Sequence, residues 1–138
     1  LPQESPYYQF PEGLPAFEQH RSFRLVREPS FDPLLFLVSG SDPGLRFICV
    51  QVRFIAPEYC YELDQAGAAV LGVAPGRYGA ADERFGCLAI LSFPSDEPAT
   101  ANLLAPVVIH YANRAGLQAV QTGGVWSHAQ PVVLMEGA

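Results

Sequence analysis

Apolar residues in this chain come in short runs, separated by polar residues, prolines and glycines. From residue 45 to 55 the even positions Ile48, Val50, Val52 and Phe54 are apolar, and Gln51 and Arg53 fall between them. That period of two predicts a long strand with one face on a core and the other toward water. Residues 23–26, 34–39 and 87–93 are also of strand length and rich in residues that suit a pleated, half-buried surface. Ser41-Asp42-Pro43-Gly44 reads as a turn and residues 75–79 as a loop. Helix is expected once, over residues 63–72. Ala66, Ala68, Ala69, Val70 and Leu71 propagate it, Asp64 caps it, and Gly67 weakens it. Residues 1–8 are polar and broken by proline, so they read as a loose N-terminal segment, and residues 132–135 as a last strand. The sum is a single domain, 1–138, of all-β class: an antiparallel roll or partly open barrel of short strands with one short helix.

The clearest element is a hairpin. Thr100-Ala101-Asn102 runs into Leu103, and Pro106 stands near the head of Val107-Val108-Ile109-His110. Proline cannot donate to a strand ladder and belongs at a strand start. Asn102 can bond its own backbone and close the loop in front of that strand. Asn113-Arg114-Ala115-Gly116 has the residues of a tight reversal. Residues 117–121 return with Leu117 and Ala119 on one face, Gln118 and Val120 on the other. Nearer the start, Gly13 and Pro15 punctuate the backbone of a turn-rich segment that Phe17 anchors.

These segments also carry a likeness. Thr-Ala-Asn-Leu-x-Ala-Pro-Val-x-Ile over residues 100–109, followed by Arg114-Ala115-Gly116-Leu117-Gln118-Ala119-Val120, resembles the flagellar assembly factor FliW family. Phe10-Pro11-Glu12-Gly13-Leu14-Pro15-Ala16-Phe17-Glu18, with Phe23-Arg24-Leu25-Val26 after it, is similar to another family segment. A third stretch, residues 54–63, has the proline, acid and aromatic found there in the family. The matches stand in the family's order and reach from about residue 8 to 131. The resemblance implies an all-β, non-enzymatic protein without a cofactor. It also implies two protein partners: a CsrA-type RNA-binding protein, whose grip on flagellin messenger RNA is relieved, and flagellin, whose free level sets how much of the regulator is available. The chain departs from the family at Ala16, where Gly is preferred, and at Val38-Ser39, which replaces Gln-Ser. The strand pair that precedes Phe-Pro-x-Gly in the family has too few residues here, so the family's first strands are expected to be missing.

Charge narrows the partner. There are 14 Asp+Glu against 8 Lys+Arg, all of them Arg, for a net charge of -6. Direct nucleic-acid binding needs a basic surface and is not expected. An acidic surface steers toward a basic protein, although acidity alone also serves solubility. With 49% hydrophobic and 16% charged residues the chain is not disordered in composition, and no apolar run approaches the roughly 20 residues of a membrane span. Cys49, Cys60 and Cys87 are widely spaced and match neither a zinc site nor a disulfide framework; Cys49 and Cys87 lie inside apolar strands and read as core residues. With no signal peptide in the sequence, a cytoplasmic, monomeric protein is expected.

Chemistry is sparse. His20, His110 and His128 have no metal-type spacing. Ser92, Asp96 and His110 lack the nucleophile elbow and oxyanion arrangement of a triad. Trp126 reads as a packing plug before a binding hot spot. The candidate partner surface is Tyr59 and Tyr61, which share a face, with Glu58, Glu62 and Asp64 around them: aromatics ringed by acids suit a basic partner. Asn102 and Leu103 join it as a second candidate, whose plainer role is to hold the barrel mouth. Gly13, Pro15, Phe17, Asn102, Pro106 and Gly116 are the structural motif. The alternative is a small ligand-binding or hydrolytic β-barrel, which requires His20, His110 and Glu58 to converge in a cleft.

Overall fold

Short β-favouring runs become short strands. The computed structural model describes residues 6–132. In chain order they form β1 (Tyr7–Gln9), β2 (Ser22–Arg27), β3 (Leu35–Ser39), β4 (Arg46–Gln51), β5 (Cys60–Leu63), α1 (Gln65–Leu71), β6 (Gly76–Gly79), β7 (Phe85–Ser92), β8 (Thr100–Ala101), β9 (Val107–His110), β10 (Ala115–Gln118) and β11 (Gln130–Pro131). The order β7-β4-β3-β2-β1-β10-β9 closes on itself because β9 also pairs with β7. All pairs round this barrel are antiparallel but β1 with β10, where Gln9 faces Ala115 in parallel. β8 and β11 extend one end of β7, and β5 and β6 form a separate hairpin. The all-β class with one short helix stands.

Two apolar clusters explain the runs. Phe10, Phe23, Leu25, Leu37, Cys49, Leu88, Val107 and Ile109 meet in one cluster, drawn from strands all round the sheet, which is therefore the barrel interior. Val50, Cys87, Ala89 and Val108 point the other way and meet Tyr59, Tyr61, Leu63 and Leu71 in a second cluster. The β5–α1–β6 unit thus covers one outer face of the barrel. β7 and β9 are buried on both faces, which is why their sequences run apolar without alternation. At β10 the inward position is Gly116. A Cβ there would lie 2.4 Å from Cζ of Phe10, whose ring fills the space.

The structure corrects four local expectations. Tyr7 and Tyr8 are not part of a loose segment: they stand in β1, paired with Arg24 and Phe23, and Tyr8 is buried. The strand expected over residues 45–55 ends at Gln51. A 3-10 turn, Val52–Phe54, follows as the chain leaves the barrel for β5, and it turns Phe54 to solvent (55% exposed). Residues 75–79 are not a loop; most of them form β6, held by the β5 ladder. The hairpin reversal falls earlier than 113–116, because Ala115 already pairs with His110 and Gly116 with Ile109. Arg114, not a glycine, takes the positive φ there (52°). Of the last strand expected over 132–135, residues 133–135 lie outside the described residues; Val132 donates its N–H to the Ala99 carbonyl.

The helix forms as expected. Asp64 Oδ1 accepts the Gly67 N–H at 2.7 Å, and Gly72 ends the helix at φ 73°. Ahead of β2, Leu14-Pro15-Ala16-Phe17 is a β-turn closed by the Phe17 N–H on the Leu14 carbonyl at 2.7 Å. Pro15 supplies the second position, and Ala16 is held at φ 71°, where glycine is favoured. Phe17 anchors the loop edge-to-face on Phe47, with centroids 5.4 Å apart. Ala16→Gly is expected to stabilise the fold by up to about 1 kcal/mol, the left-handed cost less glycine's added freedom when unfolded. Denaturant melts of the two chains check the sign.

Candidate functional site: an acid-rimmed groove along β5

Because side chains alternate along a strand, Tyr59, Tyr61 and Leu63 share one side of β5, and Cys60 and Glu62 the other. The shared face of the two tyrosines was legible, but its direction was not. Both are fully buried, which corrects the exposed aromatic pair. Tyr59 donates its hydroxyl to the Leu103 carbonyl at 2.6 Å and its ring lies 4.8 Å from that of Trp126. Tyr61 stacks on Tyr78 at 6.0 Å, and its buried hydroxyl has no hydrogen-bond partner among the described residues. Burial raises the pKa of both phenols, so they remain neutral. They fill the space between β5 and the barrel.

The acids point the opposite way. Glu58, Glu62 and Asp64 are exposed. Glu62 and Asp64 line a groove of about 720 Å³ between the β5–α1 unit and the stretch that follows β10; Glu58 lies outside it. Glu12 joins them from the turn-rich segment, and Arg77 of β6 is the cation of the lining. The apolar rim is Val120 (61% exposed), Val125 (78%) and half-buried Trp126. Glu12, Arg77, Val120, Val125 and Gln121 were not singled out from sequence. Two valines in a polar, glycine-bearing stretch were the available signal; Glu12 and Arg77 arrive only through the fold.

Asn102 and Leu103 sit behind the groove. Asn102 Oδ1 accepts the Ala105 N–H at 3.0 Å, closing the loop in front of β9 as expected. Leu103 is buried, and its N–H donates to the Ser127 carbonyl at 3.0 Å. Its side chain is therefore closed to solvent, where a docking contact was expected. Gln121 spans the groove's floor: its Oε1 accepts the Glu62 N–H at 2.7 Å, and its Nε2 donates to the Glu62 carbonyl at 3.2 Å.

The catalytic alternatives do not assemble. Ser92 faces Thr100 at one end of β7, and His110 faces Phe85 at the other. Seven residues of strand separate them by roughly 23 Å. His20 Nδ1 is bonded to Ser39 Oγ at 2.9 Å, while the His110 ring packs on Phe85 at 5.0 Å. The chain of paired residues from His110 through Ala115 and Gln9 to Ser22 puts His110 on β9 and His20 two residues ahead of β2, three ladder steps round the barrel. Among the described residues no group of three or more His, Cys, Asp or Glu is placed to hold a metal ion, and no helix is long and apolar enough to cross a membrane.

The cysteines differ in a measurable way. Cys49 and Cys87 are buried, which pushes each thiol up to about 12. Cys60 is half-buried and lines the groove. A thiol reagent on the native chain at neutral pH is expected to modify Cys60 alone, and all three cysteines in denaturant; intact mass reads the number.

The sequence matches the family described as FliW protein over residues 2–132. It is 30% identical to the flagellar assembly factor FliW of Syntrophomonas wolfei, over 94% of this chain and 80% of that protein. The corresponding protein of Caldanaerobacter subterraneus subsp. tengcongensis is 27% identical, over 90% of this chain and 80% of its own length. A crystal structure of the flagellar assembly factor FliW superposes with a TM-score of 0.79, covering 94% of this chain and 87% of the other at 24% identity. That likeness speaks for the fold.

Proposed function

This chain belongs to the FliW family, and on that premise we propose that it acts in flagellar assembly as a non-catalytic docking protein of the cytoplasm. Its basic partner is a CsrA-type RNA-binding protein, and its second partner is flagellin. Binding the first relieves repression of flagellin translation, and free flagellin competes for the supply of regulator. The observation that supports this reading is the acid-rimmed groove: Glu12, Glu62 and Asp64 against Arg77, with apolar Val120 and Val125 exposed beside them. The negative edge favours encounter with a basic surface and opposes RNA phosphate nearby. The apolar rim suits an amphipathic segment.

Calorimetry with a purified CsrA-type protein tests it. A complex is expected at low salt. It weakens as ionic strength rises from about 0.1 M to about 1 M, because screening shortens from roughly 10 Å to 3 Å. Glu62→Lys is expected to weaken it by roughly 3- to 10-fold, mainly through the association rate. Failure to form a complex at low salt removes the reading. The alternative of a ligand-binding barrel gains no support from the interior, where Phe10, Phe23, Leu37 and Leu88 are each 0% exposed and fill the space.

A further inference from the structure

Among the described residues no strand pairs with the outer edge of β5, and its backbone directions are fixed by the β6 ladder. The Ala80 N–H donates to the Tyr59 carbonyl at 2.8 Å, so the backbone groups of Tyr59, Tyr61 and Leu63 face β6. In an antiparallel pair the alternate residues point away. Cys60 and Glu62 therefore present their N–H and C=O to the groove. At Glu62 both are taken by one side chain, the amide of Gln121, which accepts the N–H and donates to the C=O. A primary amide bonded in this way reproduces the two contacts that one residue of a neighbouring antiparallel strand makes.

We propose that Gln121 is a stand-in, and that the groove takes an extended, cationic segment of a partner protein, added to β5 as a new strand in place of the Gln121 amide. An exposed sheet edge is a template for such addition. The incoming strand matches β5 in length, four residues. Its residue opposite Glu62 lies on the same face as the Glu62 carboxylate and is an Arg or Lys, with Glu12 and Asp64 reinforcing the preference. Main-chain bonds give the hold and the acids give the choice of sequence. The edge of β5 is chosen over that of β6 because the groove, the acids and the mimicking amide all lie on the β5 side. The Gln121 N–H itself is bonded to the Leu104 carbonyl at 2.7 Å, so its side chain can leave without the backbone moving.

This inference rests on the docking reading above and deepens it. The test uses the whole chain and the CsrA-type protein, with three readouts. Gln121→Ala, which unplugs the edge, is expected to tighten the complex roughly 3- to 10-fold, because the two bonds to Glu62 and the Nε2 bond to the Ala119 carbonyl need no longer be displaced. Glu62→Pro removes an N–H that the β6 ladder does not use. It is expected to weaken binding at least about tenfold beyond Glu62→Ala, which removes only the charge. Cys60, the accessible thiol on this edge, is expected to lose its reactivity toward a maleimide in the complex. A complex that forms normally with Cys60 still reactive and with Gln121→Ala no tighter overturns strand addition and leaves docking standing. If neither the native chain nor Gln121→Ala binds at low salt, both readings fall. Should Glu62→Pro fail to fold by circular dichroism, the Gln121 and Cys60 results decide.

Discussion

Tyr59→Ala is expected to cost the folded chain about 3–5 kcal/mol, the range for deleting a large, fully buried aromatic. For a domain of this size that lowers the melting temperature by roughly 10–20 °C. Tyr59 joins three segments that are far apart in sequence. Its backbone belongs to the hairpin, next to β5; its hydroxyl holds the Leu103 carbonyl in the loop before β9; its ring supports Trp126. Leu103 in turn is tied to Ser127 through its N–H. Removing the ring leaves a cavity where the hairpin meets the barrel and frees one wall of the groove. The milder Tyr59→Phe keeps the packing but leaves a buried carbonyl without its donor, at about 1 kcal/mol. The chain has one tryptophan, so its emission reports the event: a red shift is expected in Tyr59→Ala and little change in Tyr59→Phe. A Tyr59→Ala chain within about 1 kcal/mol of the parent, with unshifted emission, would contradict the role given to this residue.

Local signals were readable where one element satisfied itself. Asp64 caps α1 and Asn102 closes its loop, because each side chain bonds a backbone three residues away, and such bonds follow from spacing alone. The barrel class followed from the density of short strands and turns. What was not readable depended on partners distant in sequence. Tyr59 and Tyr61 looked like an interface because acids flank them. The same alternation that sets the acids apart on the outer side drives the tyrosines inward, and only the barrel wall opposite β5 decides which side is inside. Residues 75–79 carry proline and glycines and read as loop, yet Gly76–Gly79 pairs residue for residue with β5. Tyr7 and Tyr8 lie in a proline-broken tail but are recruited by β2, and Gln9 by β10. The groove itself combines Glu12, Glu62 and Gln121 from three separate stretches, so no window of sequence contains it. Gln121 was unremarkable as a residue; its significance lies in reaching the backbone of Glu62.

Gly13→Ala is expected to destabilise the chain by about 2–5 kcal/mol, for two reasons that add. Gly13 sits at φ 63°, where an L-residue costs about 1–2 kcal/mol. A Cβ there would also lie 2.6 Å from Cα, 2.7 Å from O and 2.8 Å from C of Glu18. Those are main-chain atoms, which cannot swing aside as a side-chain tip can, and such crowding costs a further 1–3 kcal/mol, roughly. The strain spreads to the core. The Gly13 N–H closes a turn on the Phe10 carbonyl at 2.8 Å, and the Phe10 ring is the group that fills the barrel over Gly116. Shifting the turn therefore loosens the interior at β10. Ala16, three residues on, has the same sign of φ on an exposed turn, so exchanging alanine and glycine at these two positions should give opposite outcomes. Gly13→Ala lowers the denaturation midpoint and Ala16→Gly raises it, with the m-value unchanged in each. A Gly13→Ala chain as stable as its parent would mean that the segment around Glu18 yields, and that the Phe-Pro-x-Gly turn does not hold Phe10 in place.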